Sequence, residues 1–351
     1  MTNHNKKSRI AWIDIAKGAG IILVVVGHAL VSGRVYSAIY LFHMPLFFIL
    51  AGVVFRPDNV KATFWKRLRS LMVPYASFLL IVMLMQNALY YHWGYQLSSL
   101  AKSDDHQLWL DVEGGTSLTG DFGTFWFVSC LFLSLVAYDG LRSRLKKPLD
   151  ASMIVVMSVF LLASYPLSTM SLPWDASIAP LAIFFIWVGE CWSTIFTSGK
   201  VRADSPGPVM ASAVLAAIGL GWFAPFDMKV GMYGTPILSV LAAIAISHLF
   251  FVCCMHVSKI PVLRSCAVPL GQSTLVILFM HRFFVLHLEG GLLGGRLPTL
   301  AIIAVATAIP FVSWLLIKRS PLLLRQALLG ERLPAGRSKR EAISEEGSGS
   351  S

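Results

Sequence analysis

Long apolar runs alternate with short polar stretches along almost the whole chain of 351 residues. A helix needs about 20 mostly apolar residues to cross the hydrocarbon core of a bilayer. By this measure the sequence predicts ten membrane-spanning helices, at residues 10–31, 37–56, 70–91, 124–141, 151–167, 177–197, 207–224, 235–257, 268–288 and 298–317. The predicted fold class is therefore an all-α polytopic membrane helix bundle.

The composition agrees with a membrane protein. Hydrophobic residues make up 56% of the chain and charged residues 13%, whereas a soluble domain has about 25% charged residues. The five cysteines lie in or beside apolar runs without CxxC spacing, so the sequence indicates neither a disulfide framework nor a zinc site.

Lysine and arginine are concentrated in alternate connecting segments. When the N-terminus is placed in the cytoplasm, most basic residues fall on the cytoplasmic side, and the long opposite segment 92–123 is acidic. The positive-inside rule then predicts that both termini are cytoplasmic. The net charge of +11 is thus mainly a topology signal, and we expect no nucleic-acid partner. We expect a membrane domain over residues 1–330 and a disordered cytoplasmic tail over residues 331–351.

Three ionisable residues, Asp14, Lys17 and His28, interrupt the first predicted helix. In an α-helix Lys17 and His28 share one face, roughly 16 Å apart, and Asp14 lies one turn below Lys17, where an ion pair is possible. Ionisable residues within a membrane usually face the bundle interior and mark functional sites. The alternative for Asp14 and Lys17 is a position in the inner headgroup region, with their charges reaching water.

The second predicted helix contains His43, at a depth similar to that of His28. Two histidines at one depth could form a proton-handling site. A metal would need a third ligand, and His281 on the ninth predicted helix lacks a carboxylate or cysteine at metal-binding spacing. We therefore predict no metal.

Several segments together resemble the integral-membrane acyltransferase-3 family, particularly its fucose 4-O-acetylase-like branch. They are Lys17-x10-His28 ending in VVVGH, followed by FHMPLFFILAG and FWKRLRSLMVPY. Further along, GTFWFVSCLF with Trp126 and LGQSTLVILFMH ending at His281 are similar to later elements of the family. The resemblance extends from about residue 9 to residue 318.

This resemblance implies ten transmembrane helices and O-acylation of a carbohydrate in a bacterial inner membrane. Such enzymes move an acetyl or related acyl group from cytoplasmic acyl-CoA to a sugar hydroxyl of a surface polysaccharide or its lipid-linked precursor. Carried over by motif, His28 is expected to be the catalytic residue with Lys17 as a further catalytic candidate, and Trp126 and His281 are expected to bind substrate. His43 is a catalytic candidate because of its depth beside His28. Acyl-CoA would be a donor substrate, and we expect no permanently bound cofactor.

The family commonly has Arg-x-x-Arg before the third helix, taken to bind the phosphates of CoA. Here Arg67 occupies the first position but Ser70 the second, and Arg69 or Lys66 could supply the second charge. Charge-assisted hydrogen bonds from these three basic residues would anchor the donor. The alternative is an ordinary positive-inside cluster.

The sequence leaves two questions open. His28 could act as a general base on the acceptor hydroxyl, or it could carry the acyl group itself. The main alternative function is a transporter or flippase for a glycan or a small anion, which would also need polar residues within its helices. A membrane acyltransferase of the other large family is a second alternative, although it lacks the N-terminal motif.

Overall fold

The computed structural model describes residues 10–30, 32–93, 114–170, 172–198, 201–222, 224–290, 292 and 297–331. The predicted tail beyond residue 331 and most of the acidic segment 92–123 therefore lie outside the described residues. In the first half of the chain the helices are α1 (Ala11–Ala29), α2 (Arg34–Val53), α3 (Val60–Arg67), α4 (Val73–Trp93), α5 (Trp126–Arg144) and α6 (Ala151–Leu167).

The second half continues with seven more helices and a short antiparallel hairpin between α8 and α9. The helices are α7 (Ala179–Thr197), α8 (Pro206–Gly221), α9 (Leu238–Val257), α10 (Pro261–Gln272), α11 (Thr274–Glu289), α12 (Thr299–Arg319) and α13 (Leu322–Leu329). The hairpin pairs β1 (Phe226–Asp227) with β2 (Met232–Tyr233). Short 3-10 turns lie at Gly115–Ser117, Gly120–Phe122 and Pro173–Asp175.

Within the described residues, seven helical stretches are long and apolar enough to cross a membrane: Ala11–Ala29, Arg34–Val53, Val60–Leu89, Gly120–Arg144, Pro173–Phe196, Leu238–Val257 and Thr299–Arg319. Two further predicted spans are shorter apolar helices, α6 and α8, of 17 and 16 residues. Each of the ten predicted segments contains a helix, and the prediction of an all-α polytopic bundle is confirmed.

The ninth predicted span, residues 268–288, differs from the expected continuous helix. Its first residues belong to α10, and α11 begins at Thr274 after a bend of 72°. The backbone N–H of Ser273 shares its hydrogen bond between the carbonyls of Pro269 and Leu270. Sharp bends often form where a proline or a serine interrupts the regular series of backbone hydrogen bonds in a helix. The apolar run crosses this break, so hydropathy alone could not reveal it.

Helix α1 is central and packs against α2, α9, α10, α11 and α12. It meets α10 through glycine: a Cβ added to Gly271 would lie 1.8 Å from the carbonyl oxygen of Asp14, and one added to Gly18 would lie 2.8 Å from the nitrogen of Gly271. Small residues permit such close helix contacts within membranes. Asp14 is 2% exposed, so its side chain is enclosed by protein.

Candidate active site

A cavity of about 430 Å³ opens at the end of the bundle where α1 ends and α2 begins, which we name the cavity end. The end of α1, the start of α2, the turn around Gly120, the β1–β2 hairpin and the end of α11 all contribute to it. Its lining residues are Gly27, His28, Leu30, Tyr36, Tyr40, Thr119, Gly120, Gly123, Asp227, Lys229, Arg282 and Glu289. The cavity therefore combines aromatic, basic and acidic side chains with one of the predicted catalytic histidines.

His28 is half-buried in the last turn of α1, with its ring at the cavity. Its Nδ1 lies 3.5 Å from the hydroxyl of Tyr40 and 3.4 Å from Nη1 of Arg282. A guanidinium can only donate hydrogen bonds, so Nδ1 of His28 is the acceptor in the contact with Arg282. The neutral imidazole then carries its proton on Nε2 and presents the lone pair of Nδ1 to both donors.

His43 and His281 are both buried, and the same hydrogen bond orients each ring. Nδ1 of His43 lies 2.9 Å from the carbonyl oxygen of Ile39, and Nδ1 of His281 lies 2.8 Å from that of Ile277. A carbonyl can only accept, so Nδ1 carries the proton in both rings. In a neutral ring, Nε2 then keeps its lone pair available to another group.

These histidines lie close together. The rings of His28 and His281 have centroids 5.3 Å apart, and the ring of Tyr40 contacts His43 with centroids 4.8 Å apart. We name His28, His43 and His281 the histidine cluster. Nε2 of His281 is buried and has no hydrogen-bond partner among the described residues. A buried nitrogen of this kind is costly unless water or a ligand satisfies it.

The hairpin supplies a charged wall to the cavity. Nζ of Lys229 donates to the carbonyl oxygen of Leu118 over 2.7 Å, and its backbone N–H donates to Oδ1 of Asp227 over 2.9 Å. Burial raises the pKa of Asp227 above its usual value and lowers that of Lys229. The ammonium of Lys229 thus attaches the hairpin to the segment that precedes the Gly120–Phe122 turn.

A second buried polar group supports the part of the cavity wall that the Gly120–Phe122 turn forms. Oδ2 of Asp121 lies 3.1 Å from Nε2 of His287 and accepts a hydrogen bond from the amide of Gln86. These three side chains are each at most 9% exposed. They attach the Gly120–Phe122 turn to α11 and α4, and so hold the glycine-containing part of the cavity wall in place.

Two of the predicted site residues lie away from this cavity. Lys17 is half-buried, three helical turns or roughly 16 Å along α1 from His28. Trp126 is 4% exposed and packs against Phe127 at the start of α5. Neither lines the cavity. Of the predicted residues, His28 lines the cavity, and the rings of His281 and His43 contact those of His28 and Tyr40.

The predicted donor-binding residues lie just before the start of α4, whereas Gln86, which contacts the cavity wall, lies near the end of this helix. Lys66 and Arg69 are exposed and Arg67 is half-buried, and we name these three the basic cluster. A π-helical turn at Leu68–Met72 interrupts the helix there, a feature often found at functional sites. From Arg67 to Gln86, which contacts the cavity wall, the helical rise is roughly 28 Å. The basic cluster and the cavity therefore lie at opposite ends of the bundle.

Among the described residues, no group of three or more histidine, cysteine, aspartate or glutamate side chains is placed to hold a metal ion.

A family model described as an acyltransferase domain, that of the acyltransferase-3 family, matches residues 10–318. The chain belongs to the acyltransferase-3 family. No curated protein sequence and no solved structure matches it significantly. The match covers most of the chain, and it shows an integral-membrane acyltransferase rather than a transporter or a member of the other acyltransferase family.

Two residues of the candidate site were missed by sequence reasoning although signals existed. Tyr40 precedes His43 by three positions, and residues at this spacing share a helix face. Arg282 follows His281 directly and is itself an ionisable residue in an apolar segment, the kind that marks functional sites. The residues of the hairpin, Asp227 and Lys229, carry no comparable signal because they lie in a polar connecting segment.

Proposed function

We propose that this acyltransferase is an O-acetyltransferase of the fucose 4-O-acetylase-like branch in a bacterial inner membrane. It would move the acyl group of cytoplasmic acyl-CoA to a sugar hydroxyl of a surface or exported polysaccharide or its lipid-linked precursor. The observation that carries this proposal is the histidine cluster at the base of an open polar cavity, at the opposite end of the bundle from the basic cluster.

The basic cluster supports the donor side. CoA is a polyanion, and guanidinium and ammonium groups bind phosphates through charge-assisted hydrogen bonds. CoA cannot cross the bilayer, because its phosphates would be stranded without partners in hydrocarbon. In the proposal Lys66, Arg67 and Arg69 hold the nucleotide at the cytoplasmic end while the pantetheine arm extends into the bundle, past Lys17 and toward His28.

The cavity supports the acceptor side. Its volume of about 430 Å³ is within the range of small-molecule sites, roughly 300–1,000 Å³. Tyr36 and Tyr40 stack with ring centroids 4.2 Å apart and form an aromatic wall. Asp227 and Glu289 add carboxylates that can accept hydrogen bonds from sugar hydroxyls. Trp126 is 4% exposed and does not line the cavity, so the proposal gives it no direct contact with the acceptor.

In the chemical step we favour His28 as the general base. Nδ1 of His28 removes the proton of the acceptor hydroxyl while its oxygen attacks the thioester carbonyl carbon. The tetrahedral intermediate then collapses, the carbon–sulfur bond breaks, and the CoA thiolate takes the proton from the imidazolium. If His28 instead carries the acyl group, an acyl-histidine will accumulate when donor is supplied without acceptor, and rapid acid quenching followed by mass spectrometry would detect it.

The proposal is tested in sealed membrane vesicles of known orientation, with radiolabelled acetyl-CoA and the endogenous membrane glycan. We expect label in glycan O-acyl esters only when acetyl-CoA is supplied on the cytoplasmic face, and only when glycan is available on the other face. Single cysteines at position 67 should react with impermeant thiol reagents from the cytoplasmic side, and those at Ser32 or Ser37 from the opposite side. Vesicles whose glycan takes up no label would contradict the proposed activity.

A further inference from the structure

Arg282 differs from the other basic residue of the cavity. Nζ of Lys229 is engaged with the carbonyl oxygen of Leu118 at 2.7 Å. In the described part of the chain, the only hydrogen-bonding partner of Arg282 is Nδ1 of His28, at the long distance of 3.4 Å. A guanidinium has five N–H donors, so most of the donors of Arg282 are available at the cavity. The carboxylate of Glu289, which also lines the cavity, interacts electrostatically with Arg282 but forms no ion pair with it among the described residues. The remaining donors of Arg282 can therefore bind an oxygen of a ligand.

Three groups converge on one point at the base of the cavity. The hydroxyl of Tyr40 and Nη1 of Arg282 lie 3.5 Å and 3.4 Å from the same nitrogen, Nδ1 of His28. Both distances exceed the usual 2.7–3.2 Å of a hydrogen bond to nitrogen or oxygen. Such long contacts hold the three groups only weakly to one another, and an oxygen atom of the reacting groups that lies beside them in the cavity would meet one proton acceptor and two donors.

This arrangement matches the charge that develops during acyl transfer. When an acceptor oxygen attacks the thioester carbonyl carbon, the carbonyl π bond breaks and its electron pair becomes an oxyanion. Fixed donors next to that oxygen stabilise the transition state more than the ground state. Because an arginine stays charged at every working pH, Arg282 can supply this stabilisation without taking part in proton transfer.

We propose that Arg282 is a catalytic residue, whose guanidinium binds the oxyanion of the tetrahedral intermediate beside His28. The inference rests on the proposed acyl transfer. The intermediate collapses when the carbonyl re-forms and the carbon–sulfur bond breaks, after which Arg282 releases a neutral ester carbonyl. Helix α11 would thus contribute two consecutive residues to the site, with His281 inside the bundle and Arg282 at the cavity.

The test compares Arg282→Ala, Arg282→Lys and the wild type in the vesicle assay with radiolabelled acetyl-CoA and endogenous glycan. We expect the maximal rate of Arg282→Ala to fall about 10²–10³-fold, as when one oxyanion donor is removed, with the KM for acetyl-CoA little changed. Arg282→Lys should lose less, because it retains a charged donor. Guanidinium chloride at low millimolar concentration should restore part of the rate of Arg282→Ala, since the open cavity of about 430 Å³ admits the ion.

Arg34→Ala is the matched control, because Arg34 is exposed at the start of α2 on the same end of the bundle. It should keep the wild-type rate. A maximal rate of Arg282→Ala within about threefold of the wild type would overturn the inference, and so would a loss that guanidinium does not rescue. Either result with an active wild type leaves the proposed function intact. An inactive wild type would instead count against the proposed function.

Discussion

Two arginines of this acyltransferase lie in contrasting surroundings. Arg142 is 6% exposed and donates to both carboxylate oxygens of Glu190, over 2.9 Å and 3.1 Å, and also to the carbonyl of Leu145. Tyr138 donates to the same carboxylate. Arg282 is half-buried beside a cavity, and its one hydrogen-bonding contact within the described residues is to His28.

The charge of Arg142 stabilises the fold, whereas we infer a role in catalysis for the charge of Arg282. A buried ion pair with its lone pairs and protons satisfied is self-contained and holds α5 against α7. A cation with unused donors at an open cavity can instead bind an oxygen that arrives with the substrate. Substitutions at the cavity should therefore lower the activity, and substitutions in the ion pair of Arg142 and Glu190 should lower the stability.

The largest expected effect is on activity, from His28→Ala. A positioned general base contributes about 10²–10⁴-fold to a rate, so the transfer of label from acetyl-CoA should fall by that factor. Protein abundance and melting temperature in detergent should stay at wild-type values. His256→Ala is the control, because His256 is exposed near the end of α9, and it should keep full activity. An active His28→Ala variant would remove His28 from the mechanism.

The second effect is on stability, from Glu190→Leu. Breaking a buried ion pair leaves Arg142 charged and unpaired, which should lower the free energy of unfolding by about 3–5 kcal/mol. Thermal unfolding in detergent measures this loss. Combining Glu190→Leu with Arg142→Met should recover much of it, because neither charge then remains buried. If the double variant were as unstable as the single one, the ion pair would have a role beyond mutual compensation.

The third effect concerns the basic cluster, through Arg67→Ala combined with Arg69→Ala. Loss of a charged hydrogen bond costs about 1.5–3 kcal/mol, so the KM for acetyl-CoA should rise roughly tenfold or more, with a smaller change in maximal rate. Arg264→Ala, an exposed arginine on α10, is the control. An unchanged KM in the double variant would place the donor site elsewhere.

The smallest effect is expected at an exposed ion pair, from Asp204→Asn. The hydrogen bond from Arg202 lowers the pKa of Asp204 to about 2, so any stabilisation is present above the usual pKa of about 3.9 and is lost as the pH falls through 2. Exposed pairs contribute little, so the melting temperature at pH 7 should be unchanged. A clear decrease in the melting temperature would mean that the ion pair of Arg202 and Asp204, between α7 and α8, contributes to stability.

Most of the fold could be predicted because hydropathy is a local signal. Each of the ten apolar runs contains a helix, and Asp14 and His28 do face protein rather than lipid. The bend at Ser273 and the π-helical turn at Leu68–Met72 could not be predicted, because both depend on backbone hydrogen bonding within continuous apolar or basic runs.

The candidate site was predictable only in part. His28 and His43 lie on consecutive helices, so similar depth implied proximity. The contact between His28 and Arg282 joins residues 254 positions apart, and no sequence spacing indicates which helices of a bundle are neighbours. Lys17, by contrast, shares a face with His28 but lies too far along the helix to join it.

A small change in the close contact between Asp14 and Gly271 would be amplified along the helix that follows. From Thr274, where α11 begins after the bend, to His281 the chain rises roughly 10 Å along the helix, so a tilt of α11 by about 5° moves the ring of His281 by about 0.9 Å. A displacement of about 1 Å can cost a reaction a factor of 10². The position of His281 therefore depends on how closely α10 packs against α1. Glycine at position 271 permits this packing because it lacks the methyl group that would meet the carbonyl oxygen of Asp14.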